Sequence, residues 1–88
     1  MLSELRMKLN EIDQEIIKLL IERFEVTDAV GAYKKTQKMV ILQPEREREI
    51  INRISEAYSD SAYVDYIVEV YLKIFEQSRN QQAKYLED

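Results

Sequence analysis

In LSELRMKLNEIDQEIIKLLIERFEVTDAVGAYKK (Leu2–Lys35), the residues Leu2, Leu5, Leu9, Ile12, Ile16, Leu19, Arg23, Val26, Val30 and Tyr33 recur at three- and four-residue steps. That spacing lines them along one stripe of a long helix and is the heptad pattern of a helix packed against others. Nine of the ten are apolar, and Arg23 is the exception. A cation in an apolar seam is costly unless an anion meets it there. The identity of that anion is the question the rest of the chain has to answer.

The pattern places this first helix from about Ser3 to about Lys35, with Ser3 as its N-cap. The chain then passes through Thr36–Gln43, where Met39, Val40, Ile41 and Leu42 read as an extended apolar stretch. Pro44 suits the first turn of a second helix, and Glu45 and Glu47 favour its N-terminus. That helix is predicted to run to about Tyr58, with Ile50, Ile51 and Ile54 facing inward. Ser59-Asp60-Ser61 reads as a turn and cap. A third helix follows from about Ala62 to about Tyr85. Its inner stripe is Tyr63, Ile67, Val70, Tyr71, Ile74, Ser78, Gln81, Gln82 and Tyr85, which turns polar in its last third.

One glycine and one proline in 88 residues fit a few long helices. The expected fold is all-α, a three-helix chain forming one domain over residues 1–88, with no room for a second. The first helix would be roughly 45–50 Å long at 1.5 Å per residue. A compact monomer of this size is only about 25–30 Å across. The long helix therefore protrudes and exposes its stripe. An intertwined homodimer, each long helix spanning both halves, is the expected remedy.

Composition removes much of the usual catalytic apparatus. There is no histidine, which excludes imidazole general bases, Ser-His-Asp triads and the usual zinc sites. There is no cysteine, hence no disulfide framework and no thiolate nucleophile, which fits a cytoplasmic protein. A single glycine cannot build a phosphate-cradling loop or a dinucleotide fingerprint. The net charge of −4 argues against nucleic acid as a partner. No apolar run approaches membrane-spanning length, and Met1–Asn10 lacks the layout of a secretion signal. The acidic residues form no convergent set, so no metal is expected. An enzyme built on this chain works without a cofactor, using arginine, lysine, carboxylates, amides and hydroxyls.

Arg23, Thr27, Val30, Gly31 and Lys34 fall nearly on one line of the first helix. Arg23 and Lys34 are three turns apart and point the same way, about 16 Å from each other along the axis. Glycine inside a helix costs about 1 kcal/mol relative to alanine, so something should offset it. One reading is a hollow beside Gly31 with a cation at each end. The other is a glycine for close helix packing and two cations reaching solvent. For Arg23, inside the seam, the site reading is preferred. Ser78 and Gln82 are i,i+4 neighbours where apolar residues would otherwise continue, and they suit a polar ligand group or a satisfied polar pair in the core. Arg46, Glu47 and Arg48 are consecutive, so at most two face one site, and a solvated charge run is the ordinary alternative. Arg6 by itself looks like a surface residue. Together these positions suggest a small dianion held among cations, with neutral hydrogen-bonding groups and one carboxylate nearby.

Several blocks then carry a resemblance. Leu5-Arg6, Ile12-Asp13, Leu19-Leu20-Ile21-Glu22-Arg23, Val30-Gly31-Ala32-Tyr33-Lys34, Pro44-Glu45-Arg46-Glu47-Arg48 and Ser78-Arg79-Asn80-Gln81-Gln82 occur in this order. In order and spacing the chain resembles the all-helical (AroQ-type) chorismate mutases, which convert chorismate to prephenate on the path to phenylalanine and tyrosine. The resemblance implies an intertwined homodimer of three-helix chains with two equivalent sites shared between subunits. It implies that Arg23 and Arg46 bind the substrate carboxylates together with Arg6 of the partner subunit. Lys34 would contact the ether oxygen and a carboxylate, and Gln82 would donate to the same ether oxygen. Glu47 would accept the ring hydroxyl's hydrogen bond, and Ser78 would help hold a carboxylate. Gln43 stands where many relatives carry aspartate near the ring hydroxyl, which puts that contact in doubt.

Helix geometry bears on the shared site. Arg6 and Lys34 lie about 42 Å apart along one helix, too far to meet at one small ligand. An antiparallel partner crossing near Ile16-Ile17 would bring its Arg6 between Arg23 and Lys34. Two rivals stand beside this reading. An isochorismate-pyruvate lyase shares the fold and much of the cation set, and Glu47, suited to the hydroxyl of chorismate, argues for the mutase. A non-catalytic helical dimerisation or regulatory module fits the periodicity equally well but leaves the Arg23–Gly31–Lys34 line and Ser78–Gln82 unexplained.

Overall fold

The computed structural model describes residues 1–40 and 44–86. Three α-helices occupy most of them: α1 (Leu2–Thr36), α2 (Pro44–Ala57) and α3 (Val64–Gln82), followed by a terminal 3₁₀ turn (Ala83–Leu86). Among the described residues there is no strand, no helix long and apolar enough to cross a membrane, and no group of acidic side chains arranged to hold a metal ion. Of the extended stretch anticipated before Pro44, Met39 and Val40 are exposed, while Ile41 and Leu42 lie outside the described residues.

The first helix starts at Leu2, and its N-cap is Met1, two residues ahead of the expected Ser3. Leu5 N–H already donates to the Met1 carbonyl at 3.1 Å, so Ser3 sits within the first turn and caps nothing. Its C-terminus closes by two bonds. Lys38 N–H donates to Lys35 O at 3.2 Å, and Met39 N–H donates to Lys34 O at 2.8 Å. This is the Schellman pattern, and Lys38 occupies its left-handed position with φ of 57°. Pro44 opens α2 as anticipated, with Glu45 and Glu47 in its first turn and Ile50, Ile51 and Ile54 half-buried. The third helix begins at Val64, two residues later than the sequence suggested. Ser61 Oγ accepts the N–H of Tyr63 at 3.1 Å and thereby organises a tight turn ahead of the helix. At the other end the α-helix stops at Gln82 and tightens into the 3₁₀ turn, a common way to finish a helix.

The third helix is central. It packs on α1 and on α2, and the terminal turn folds back onto α1. Its inward line is Val64, Val68, Tyr71, Phe75, Ser78 and Gln82, with Phe75 the one buried apolar side chain among the described residues. Tyr63 and Val70, expected inside, are 67% and 57% exposed. The expected stripe was slightly out of phase because α3 serves two neighbours, and its covered face is centred between them.

The protein is elongated, 54 × 26 × 14 Å, with a radius of gyration of 16.1 Å against about 12 Å for a compact chain of this length. Residues 1–19 are all exposed. Leu5, Leu9, Ile12, Ile16 and Leu19 each show about half their surface. The accessible area is 7342 Å², compared with about 5,400 Å² for a compact protein of this mass.

Candidate functional site

A cavity of about 220 Å³ opens where the C-terminal half of α1, the first turns of α2 and the last turns of α3 converge. Arg23, Thr27, Val30 and Lys34 come to it from α1 as successive residues of one helix face. Arg46, Glu47 and Ile50 come from α2; Phe75, Ser78, Arg79 and Gln82 come from α3. The wall thus carries four cationic side chains and one carboxylate.

Arg23 is half-buried, and no carboxylate among the described residues pairs with it. Its Nη1 donates to Ser78 Oγ at 3.3 Å, and its guanidinium carbon lies 5.7 Å and 5.9 Å from the ring centres of Phe75 and Tyr71. Cation–π contact of this kind holds a guanidinium without neutralising it. Ser78 in turn donates to Ile74 O at 2.9 Å, the usual back-bond of a serine within a helix. Gln82 is buried, and its Oε1 has no hydrogen-bond partner among the described residues. A buried amide oxygen without a donor is costly, and only a group that donates a hydrogen bond completes it. Lys34 is half-buried in the same wall. Arg46 is more open, and its 3.4 Å contact with Glu49 is an ordinary surface pair.

Of the eight positions singled out in the sequence, Arg23, Lys34, Arg46, Glu47, Ser78 and Gln82 line this one cavity. Arg6 does not. It is exposed near the start of α1, about 25 Å from Arg23 along the helix axis. Gln43 lies outside the described residues.

Of the two readings of Gly31, a hollow beside it or close packing, the second holds, and the space is filled. A Cβ there would lie 2.7 Å from Tyr85 Cδ2 and 3.1 Å from Gln82 Cγ. The glycine therefore serves close packing and lets the end of α3 seat Gln82 against α1; the open space runs along Arg23, Thr27 and Lys34. Behind it, the terminal turn is fastened to α1 at Asp28. Lys84 Nζ is 2.5 Å from Asp28 Oδ1, and the Tyr85 hydroxyl donates to the same oxygen at 2.9 Å. The bond from Lys84, then that from Tyr85, holds the Asp28 carboxyl below its ordinary range. The partner carboxylate raises Lys84, while Tyr85 is raised first by burial and then by its bond to Asp28. Gln81 adds a second tie: its Nε2 donates to Phe24 O at 2.7 Å, and Thr27 donates to its Oε1 at 2.7 Å.

Sequence reasoning missed Arg79 and Phe75. Arg79 Nη1 lies 2.6 Å from both carboxylate oxygens of Glu47. The available signal was positional: Arg79 follows Ser78 directly and precedes Gln82 by three, which puts it on the flank of the same helix face.

A sequence profile of the family described as chorismate mutase type II matches residues 5–83. The chain is 32% identical over 88 residues to a chorismate mutase of Methanocaldococcus jannaschii, covering 99% of this chain and 89% of that protein. It is 36% identical over 77 residues to a bifunctional chorismate mutase/prephenate dehydratase of Aquifex aeolicus, covering 83% of this chain but 21% of that much longer protein. No solved structure gives a significant match.

Proposed function

The chain belongs to the chorismate mutase type II family, and we propose that it rearranges chorismate to prephenate in two sites shared between the subunits of a homodimer. The observation that carries this reading is the state of Arg23. A guanidinium half withdrawn from solvent, with no carboxylate partner among the described residues and in a wall with Lys34 and Arg46, suits an anionic ligand that brings its own oxygen acceptors.

The chemistry asks for little more. In one pericyclic step a C–O bond of the substrate breaks as a C–C bond forms, with no proton transfer and no covalent intermediate. The chain must fold a flexible molecule so that its reacting carbons approach, an orientation effect. Arg23, Arg46 and Ser78 grip the carboxylates and select that conformer. Lys34 and Gln82 stabilise the charge that grows on the ether oxygen. Glu47 accepts the ring hydroxyl's hydrogen bond. Bond breaking thus proceeds without histidine, thiol or cofactor.

Support for the dimer comes from surface and length. The excess of about 1,900 Å² per chain over a compact monomer amounts to about 3,800 Å² for two, within the range of obligate interfaces. An antiparallel copy crossing at Ile16-Ile17 would set its Arg6 opposite Thr27, in the cavity wall, and would cover the exposed α1 stripe. We place this reaction in the cytoplasm, on the cysteine-free composition.

The test is direct. Purified protein should consume chorismate, seen as loss of its absorbance, with prephenate as the product. Pyruvate release from isochorismate without prephenate formation would assign the lyase instead, and inertness toward both substrates would leave a helical dimerisation module.

A further inference from the structure

We propose that Arg79 is a positioning residue, clamping the Glu47 carboxylate so that it faces a dianionic substrate as an oriented and neutralised hydrogen-bond acceptor. The inference rests on the function proposed above.

A carboxylate is a hazard in this cavity. The site has to admit a ligand with two negative groups, and an unpaired Glu47 would repel both. Arg79 removes that repulsion from close range, with Nη1 at 2.6 Å from Oε1 and from Oε2. Each carboxylate oxygen offers two lone-pair directions. One donor shared between the two oxygens leaves the others available to a hydroxyl. The pair is also partly shielded, with side chains 37% and 26% exposed, against 54% and 59% for the neighbouring Arg46–Glu49 pair. Shielding strengthens the interaction and makes its loss felt.

The clamp also crosses between elements. Glu47 stands on α2 and Arg79 on α3, where it lies between Ser78 and Gln82, and all four line the cavity. Holding Glu47 through Arg79 therefore fixes the hydroxyl acceptor relative to the amide of Gln82. The substrate's hydroxyl and its ether oxygen are registered by one helix.

The experiment compares Arg79→Met, Arg79→Lys, Glu47→Gln and the Arg79→Met/Glu47→Gln pair by steady-state kinetics with chorismate at low and high salt. Arg79→Met is expected to raise KM about tenfold, the scale of one unscreened neighbouring charge, with a smaller change in kcat. Added salt should narrow that KM gap because it screens repulsion, whereas lost packing would not respond. Arg79→Lys keeps the charge and should recover most of the KM. In the Glu47→Gln background, Arg79→Met should change KM by less than about twofold, since the charge it neutralised is gone. Equal KM effects in both backgrounds, or an effect indifferent to salt, overturn the proposal. Should the methionine variant fail to fold, Arg79→Gln carries the same comparisons. Additive effects in an active enzyme sink this inference alone, while a wild-type protein that makes no prephenate sinks the proposed function and this inference with it.

Discussion

Lys34 and Gly31 share a face of α1 and are separated by less than one turn, yet their substitutions should fail in different ways. Lys34 supplies a charge to the cavity wall. Lys34→Ala is expected to lower kcat by about a hundredfold, the usual loss when one charge-stabilising donor is removed, while thermal stability changes little. Wild-type turnover in that variant would take Lys34 out of the mechanism. Gly31 supplies an absence. Gly31→Ala gains about 1 kcal/mol of helix propensity and loses about 1–3 kcal/mol to overpacking against Tyr85, so stability should fall by up to about 2 kcal/mol. The new methyl also lies 3.1 Å from Gln82 Cγ, and shifting that side chain should cost kcat about tenfold, less than the roughly hundredfold that a misplacement of about 1 Å can cost. A Gly31→Ala enzyme with normal kcat would show that Gln82 need not sit where it does. The sequence could not separate these roles. It displayed an odd glycine beside a lysine, but Tyr85, the ring that fills the space, lies 54 residues away, and nothing local announces their contact.

At the scale of the elements, periodicity gave the helices and their order better than it gave the faces they cover. The proline start of α2 and the polar turn of α3 at Ser78 and Gln82 were legible in residue spacing. Of the α1 stripe, by contrast, only Arg23 is half-buried and Val26 and Tyr33 are exposed, the face toward α3 running instead through Phe24, Thr27, Asp28 and Gly31. The phase of α3 was not legible either, because its covered face is set by helices on both sides, and Tyr63 and Val70 fell outside it. The Arg79–Glu47 pair was equally hidden, being a meeting of two charge-rich turns 32 positions apart. Element ends offer two tests. Lys38 bears the left-handed cap of α1 with φ of 57°, a conformation that costs a side-chain-bearing residue about 1–2 kcal/mol. Lys38→Gly should therefore raise the melting temperature by several degrees at fixed protein concentration, and no rise would mean the cap is unstrained. The Asp28 clamp sets a pH window. Asp28 is depressed, so its contribution is present above the ordinary carboxyl value of about 4 and fades as pH falls through its lower folded value. Lys84 and Tyr85 are raised, so theirs is complete below about 10 and fades as pH rises through their higher folded values. Asp28→Asn should melt below wild type near neutrality, with the two curves converging at both extremes; a gap constant across pH would exclude the clamp.

For the molecule as a whole, the decisive question is whether a site is complete within one chain. Arg6 and Lys34 are about 42 Å apart on one rigid helix, so no motion short of breaking α1 brings them together. If the site is shared, each contains Lys34 of one subunit and Arg6 of its partner. Arg6→Ala and Lys34→Ala homodimers would then each carry two defective sites. A mixed dimer is different: one of its sites receives both defects, and the other receives neither. Random exchange at equal concentrations makes about half of the dimers mixed, so unfolding and refolding the two variants together should restore about a quarter of wild-type turnover from two weakly active proteins. Arg6→Ala retaining full turnover would dispose of the shared site by itself. An Arg6→Ala enzyme that is impaired but shows no recovery on mixing would mean that Arg6 acts within its own chain, and the exposed stripe of α1 would then need another occupant.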